Sequence, residues 1–160
     1  MNPRAQELIR SLGLLAHPEG GWFREVFRAE RRVSTEGGAE RPALTTIYFL
    51  HVAGTFSRWH RLASDEVWHF YEGDPLELIT FDPATGALAP LKLGPFAAEQ
   101  EPVRVVPAGH WQTARSLGSY TFFGCSVGPG FEYADFAFVA DLPAAAAHFA
   151  GELAPHRQWL

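Results

Sequence analysis

His60 and Glu66 are the residues of this 160-residue chain whose types and spacing best suit acid/base chemistry. An imidazole titrates near neutrality and can take a proton from a carbon next to a carbonyl. Such a base needs an orienting partner, and Glu66 on a neighbouring strand could fix its tautomer. It also needs a donor or acceptor on the far side of the substrate, for which Tyr133, Tyr48, Tyr71 and Asp135 are candidates. Glu66, Trp68 and Phe70 alternate, so period two sets them on one face of a strand, lining an interior with His60. Trp22, Tyr48 and Phe131 add aromatic surface suited to a sugar ring or a nucleobase. Arg24, on the same face as Trp22, is a candidate for a phosphate or carboxylate. The competing readings are a buried His60–Glu66 polar pair without chemistry, and aromatics used for core and interface packing.

Chemistry of this kind needs rigid elements to position it. Met1–Leu15 reads as a helix, with Asn2 as N-cap, Pro3 in the first position and Leu8, Ile9, Leu12 and Leu15 at helical spacing. Gly13 ends it or weakens its last turn. Trp22–Arg28 alternates as a strand with two occupied faces, and the polar stretch 30–42 reads as a loop. From Leu44 onward short strands are expected at Leu44–Val52, Ser57–Leu62, Glu66–Tyr71, Leu76–Phe81, Leu88–Leu93, Val103–Val106, Trp111–Ala114, Tyr120–Val127 and Tyr133–Val139. An alanine-rich helix is expected over Leu142–Leu153, starting at Pro143. Many short strands and little helix make an all-β sandwich or barrel, whose inward polar residues can line a ligand cavity.

Composition bounds the partners. Lys+Arg 13 against Asp+Glu 18 gives a formal charge of -5, which removes the usual electrostatic reason to bind nucleic acid or an anionic membrane. Hydrophobic residues at 47% and charged residues at 19% exclude a disordered chain and fit one domain over 1–160. The lone Cys125 forms no internal disulfide and reads as a buried, inert thiol. No apolar run has membrane-spanning length and the start lacks a signal-peptide pattern, so a cytoplasmic protein is expected. Gly20-Gly21 and Gly128-Pro129-Gly130 read as turns, Asp65 as a turn cap, and Arg58 and Arg61 as surface or dimer-contact residues.

Residues 54–73 follow G-x5-H-x-L-x3-E-x6-G, which resembles the first cupin motif with Leu62 in place of its second His. Pro107-Ala-Gly-His-Trp-Gln112-Thr-Ala-Arg-Ser116 resembles the second motif, with Gln112 at the His position and Ser116 at the Asn position. Together with His17-Pro-Glu-Gly-Gly-Trp-Phe-Arg24 and Gly124-Cys-Ser-Val-Gly-Pro-Gly-Phe131, these strings resemble the uncharacterised cupin-5 family over most of 12–140. The resemblance implies a double-stranded β-helix (jelly roll), its barrel core near 22–140, with short N- and C-terminal helices and a homodimer. It also implies a shape like the dTDP-4-dehydrorhamnose 3,5-epimerases, in which the residue matching His60 is the base.

Cupin metal sites use three imidazoles and a carboxylate. Here His60 and Glu66 remain, Leu62 has no donor, and Gln112 offers only a neutral carbonyl. His69, three residues after Glu66, falls on the opposite face. No cofactor is therefore expected, and any weak divalent ion would sit at His60, Glu66 and Gln112. The first expectation is a small polar metabolite, sugar or sugar-nucleotide-like, bound in the barrel for acid/base isomerisation or epimerisation. The alternatives are a non-catalytic binding or sensing domain and a metal-dependent cupin.

Overall fold

The structure, a computed structural model, describes residues 1–148 and 158–160. Helix α1 (Pro3–Leu12) starts where the Asn2 side chain accepts from the Arg4 amide and ends at Gly13 in the left-handed conformation (φ 62, ψ 40). In chain order the strands are β1 (Leu15–Ala16), β2 (Trp22–Arg28), β3 (Arg32–Ser34), β4 (Glu40–Pro42), β5 (Thr45–Val52), β6 (His60–Leu62) and β7 (Asp65–Gly73). They continue as β8 (Leu76–Phe81), β9 (Leu88–Leu93), β10 (Val103–Val106), β11 (Trp111–Ser116), β12 (Tyr120–Gly128) and β13 (Phe136–Phe138), before helix α2 (Pro143–His148).

Two antiparallel sheets face each other, in the orders β1-β2-β5-β12-β7-β10 and β13-β6-β11-β8-β9. Strand alternation sorts the side chains into layers. Phe49, Trp68 and Phe123 from the first sheet meet Leu76, Leu78 and Leu93 from the second in the space between them. On the outer face of the first sheet, Leu50, Val52 and Phe122 receive Ala5 and Leu8 of α1. On the outer face of the second, Trp59, Ile79, Phe81 and Trp111 are covered by Val139, by α2 alanines and by Trp159. Hydrocarbon fills one end of the inter-sheet space, and polar side chains gather at the other.

A bulge in β2 changes which of its side chains face inward. Its pairing with β5 runs Phe23↔Phe49 and Glu25↔Ile47, then skips Val26 and resumes at Phe27↔Thr46 and Arg28↔Thr45. Strict alternation would put Arg28 with Trp22 and Arg24. The skipped residue moves Arg28 to the inner side with Phe23 and Glu25.

Several expected elements are adjusted. Within the stretch expected to be a loop, β3 and β4 form a two-stranded ribbon, closed by the Thr35 amide donating to the Ala39 carbonyl and the Ala39 amide to Thr35 Oγ1, and lacking any apolar alternation to announce it. Only His60–Leu62 of the expected Ser57–Leu62 strand is extended and paired, and Tyr133–Val139 divides into a 3-10 turn (Tyr133–Asp135) followed by β13. The expected terminal helix is present as α2, and residues 149–153 of that span lie outside the described residues. Arg58 and Arg61 lie over the Phe138 and Trp111 rings, at 4.2 and 4.9 Å. Among the described residues no helix is long and apolar enough to cross a membrane.

Candidate functional site

His60 opens β6 and lies directly across from Gln112 of β11. Its Nδ1 is 2.7 Å from the Arg58 carbonyl, which only accepts, so Nδ1 carries the hydrogen and the neutral ring keeps its lone pair on Nε2. Two groups meet that lone pair: the Gln112 amide nitrogen at 3.1 Å and Glu19 Oε2 at 3.2 Å. Gln112 also donates to Glu66 Oε2 at 2.5 Å. Gln112 thus stands between His60 and Glu66, and the carboxyl that reaches the imidazole nitrogen is Glu19. Phe136 stacks on the other side of the ring, centroids 5.3 Å apart.

Glu19 reaches the interior because the chain turns sharply beside it. Gly20 and Gly21 have φ of 115 and 73, and a Cβ on Gly20 would lie 2.2 Å from the Phe56 carbonyl oxygen. The Glu19 carbonyl accepts from the Arg58 amide at 2.7 Å, which fixes the turn against the approach to β6. Glu19 Oε1 accepts from Ser57 Oγ at 3.0 Å, and Ser57 Oγ is 2.9 Å from His51 Nε2. His17 Nδ1 accepts from the Glu19 amide at 3.2 Å, so its hydrogen is on Nε2.

Burial sets the charge states. It pushes Glu19 up to about 8, against the opposing Ser57 bond. It raises Glu66, opposed by His60 and by the Gln112 bond. It lowers His60, opposed by Glu66 and by the Arg58 carbonyl. It takes His17 down to about 4 and His51 down to about 3, with nearby imidazoles adding to both shifts. At neutral pH the three imidazoles are uncharged and Glu19 holds its proton.

His17, Glu19, His60 and Glu66 form the deep wall of a cavity of about 320 Å³. Phe23, Phe49, Trp68, Phe131 and Phe136 supply apolar walls, and the Cys125 thiol, raised well above its usual range by burial, faces the same space. At the mouth, Arg28 is gripped by Glu25 at 3.0 and 2.7 Å and by Glu132 at 3.0 Å. Tyr133, 61% exposed, stands beside it. The Trp68 indole N–H and Gln112 Oε1 are buried without a hydrogen-bond partner among the described residues.

Of the residues expected from sequence, His60, Glu66, Trp68, Phe131 and Tyr133 line this cavity, and Gln112 braces two of them from behind. Trp22, Arg24 and Tyr48 do not. They occupy the outer face of the first sheet, where Trp22 and Tyr48 pack under α1 and the Arg24 guanidinium lies 6.0 Å from the Tyr48 ring centre. Phe70 packs against the filled end of the core. Asp135 turns away to form a two-point ion pair with Arg41 at 2.6 and 2.8 Å. His69 pairs with Gly124 on the face opposite Trp68, as alternation requires. Sequence reasoning misses Glu19, His17, Ser57 and Arg28. The first two sit in a string with the composition of a turn, and a bulge hides the last.

The donor set does not fit a tightly held transition ion. Among the described residues no three His, Cys, Asp or Glu side chains are grouped to hold a metal. Leu62 presents carbon to the cavity at one ligand position. At another, Gln112 aims an N–H at the Nε2 lone pair that a metal would need.

Two facing antiparallel sheets with a cavity at one end and motif residues on β6, β7 and β11 define a cupin barrel. The chain belongs to the family described as Cupin superfamily (DUF985), whose model matches residues 6–139. It is similar to a solved protein of Shewanella oneidensis, at 32% identity and a TM-score of 0.81, covering 98% of this chain and 96% of that one. It is also similar to a hypothetical protein from Leishmania major, at 31% identity and a TM-score of 0.78, covering 91% and 96%. Oxalate decarboxylase from Lactobacillus farciminis shares the fold at 16% identity and a TM-score of 0.61, over 92% of this chain and 41% of that one. No curated protein matches in sequence.

Proposed function

We propose that this cupin binds a small polar metabolite in its barrel and moves a proton on it, in the manner of an isomerase or epimerase. The observation that carries the reading is the 3.2 Å approach of Glu19 Oε2 to His60 Nε2 on the wall of the cavity. The surroundings push the two groups in opposite directions, so at neutral pH one is an acid and the other a free base. His60 takes a proton from a carbon beside a carbonyl. Glu19 gives its proton to the carbonyl oxygen and takes it back as the enol collapses. The carbon is reprotonated by the His60 imidazolium or, from the other face, by a second donor, His60 then releasing its proton to water. Glu66, through Gln112, holds the imidazole in place, and Tyr133 at the mouth is the candidate donor on the opposite face. The cavity is at the small end of ligand pockets, which favours a monosaccharide-sized molecule over a whole sugar nucleotide.

The test is exchange in deuterated water. A panel of small sugars and ketones is incubated with the protein, and deuterium beside the carbonyl is read by NMR. Wild type should incorporate it, and His60→Ala should lose at least about 100-fold in rate while keeping its circular dichroism. Undiminished exchange in the variant removes His60 as base.

One observation favours binding or sensing without turnover: the Gln112 N–H already engages the His60 lone pair. A ligand recovered unchanged after long incubation supports that second reading. We further read the protein as a cytoplasmic homodimer. The acidic balance and single cysteine support the location, and the exposed Val103 and Val105 on edge strand β10 support the pairing.

A further inference from the structure

We propose that the molecule taken up by this cavity is a small organic cation, an amine whose ammonium group lodges at Glu19 and Glu66 with its carbon frame against the phenyl rings. The inference rests on the reading of the cavity as a ligand site and adds the class of ligand. Four carboxyls line the space, Glu19, Glu25, Glu66 and Glu132, against one guanidinium, Arg28. Arg28 is already engaged. Glu25 takes its Nε and Nη2, and Glu132 with the Phe131 carbonyl takes Nη1. A phosphate or carboxylate entering the cavity therefore meets no free cation among the lining residues.

The deep carboxyls have the opposite need. Glu19 and Glu66 are each 6% exposed and flank His60, and among the described residues neither carboxyl pairs with a lysine or arginine side chain. A buried carboxyl without a cation is costly when ionised, and an incoming ammonium removes that cost. The walls suit the rest of such a molecule. Phe23, Phe49, Phe131 and Phe136 offer ring surfaces, which attract cations as well as hydrocarbon. Aromatic walls, two cation-free buried carboxyls and a mouth arginine neutralised by two glutamates all select against negative charge.

Three probes of nearly equal shape separate the possibilities: benzylamine, benzyl alcohol and benzoate. Calorimetry at pH 7 on the intact protein should show benzylamine at least tenfold tighter than benzyl alcohol, and benzoate weakest or undetected. Glu66→Gln should weaken benzylamine at least tenfold more than it weakens benzyl alcohol. Equal or tighter binding of benzyl alcohol or benzoate overturns the inference, as does failure of all three to bind. If Glu66→Gln does not fold, the wild-type series alone decides. Loss of deuterium exchange with retained benzylamine binding would sink the proton-transfer reading and leave this one standing. Exchange on a neutral sugar without amine binding would do the reverse.

Discussion

The Gln112 amide nitrogen lies 3.1 Å from His60 Nε2, straight across the β6–β11 pair. In a metal-binding cupin that side of the barrel would carry a second imidazole aimed at a shared ion. Here an N–H points at the lone pair instead, and Leu62 presents hydrocarbon where another ligand would stand. The change converts a place for a cation held by imidazoles into a hydrogen-bonded row of His, Gln and Glu.

Restoring both side chains should therefore restore metal. A Leu62→His, Gln112→His double variant is expected to hold about one zinc or nickel ion per chain after dialysis, because it supplies three imidazoles and Glu66. Metal analysis beside wild type checks this. A metal-free, folded double variant would show that something other than these two positions decides.

Glu19 makes stability fall as pH rises. Its pKa is about 8 in the folded chain against 4.5 as the ordinary value. Between those limits the folded state keeps a proton that the unfolded state releases, so its contribution is complete below 4.5 and lost by about 8. Glu19→Gln should flatten the decline of Tm across pH 5 to 8, leaving the part due to Glu66, which burial also raises. Parallel curves for the two proteins would assign the titration elsewhere.

His51 works in the other direction. Buried neutral, with its pKa down to about 3 from 6.5, it binds fewer protons folded than unfolded in that window. Its contribution is complete above 6.5 and lost as pH falls toward 3. In His51→Gln the drop in Tm from pH 6.5 to 4 should be shallower than in wild type, with His17 accounting for the remainder. A steeper drop would show that the imidazole stabilises in its charged form.

Gly20→Ala should destabilise the fold by about 2 kcal/mol or more, since the residue has φ 115 and a Cβ would meet the Phe56 carbonyl oxygen. Urea unfolding measures it. An unchanged midpoint would mean that the turn carrying Glu19 relaxes freely.

The barrel is legible in the sequence because strands β5, β7, β8 and β12 are long, apolar and bounded by turn residues. His60 and Glu66 are legible because their spacing matches a motif and alternation points both inward. Glu19 is not, because its position depends on two glycines that fold a turn against a distant carbonyl, a contact no local pattern announces. Arg28 leaves the face it would otherwise share with Arg24 because one bulged residue changes the phase of every residue after it. Trp22 and Tyr48 resemble pocket walls in sequence because aromaticity reports burial without saying on which side of a sheet.

Ser57 has one hydroxyl hydrogen and two polar neighbours, Glu19 and His51. While that hydrogen points to Glu19, His51 must donate from Nε2. If Glu19 keeps a hydrogen on Oε1 instead, the hydroxyl turns and His51 must move its own to Nδ1. A ring that never touches the cavity is thus coupled, through Ser57, to where the proton sits on a group that does. Nitrogen-15 shifts of His51 would report, from behind the wall, whether anything has docked in front of it.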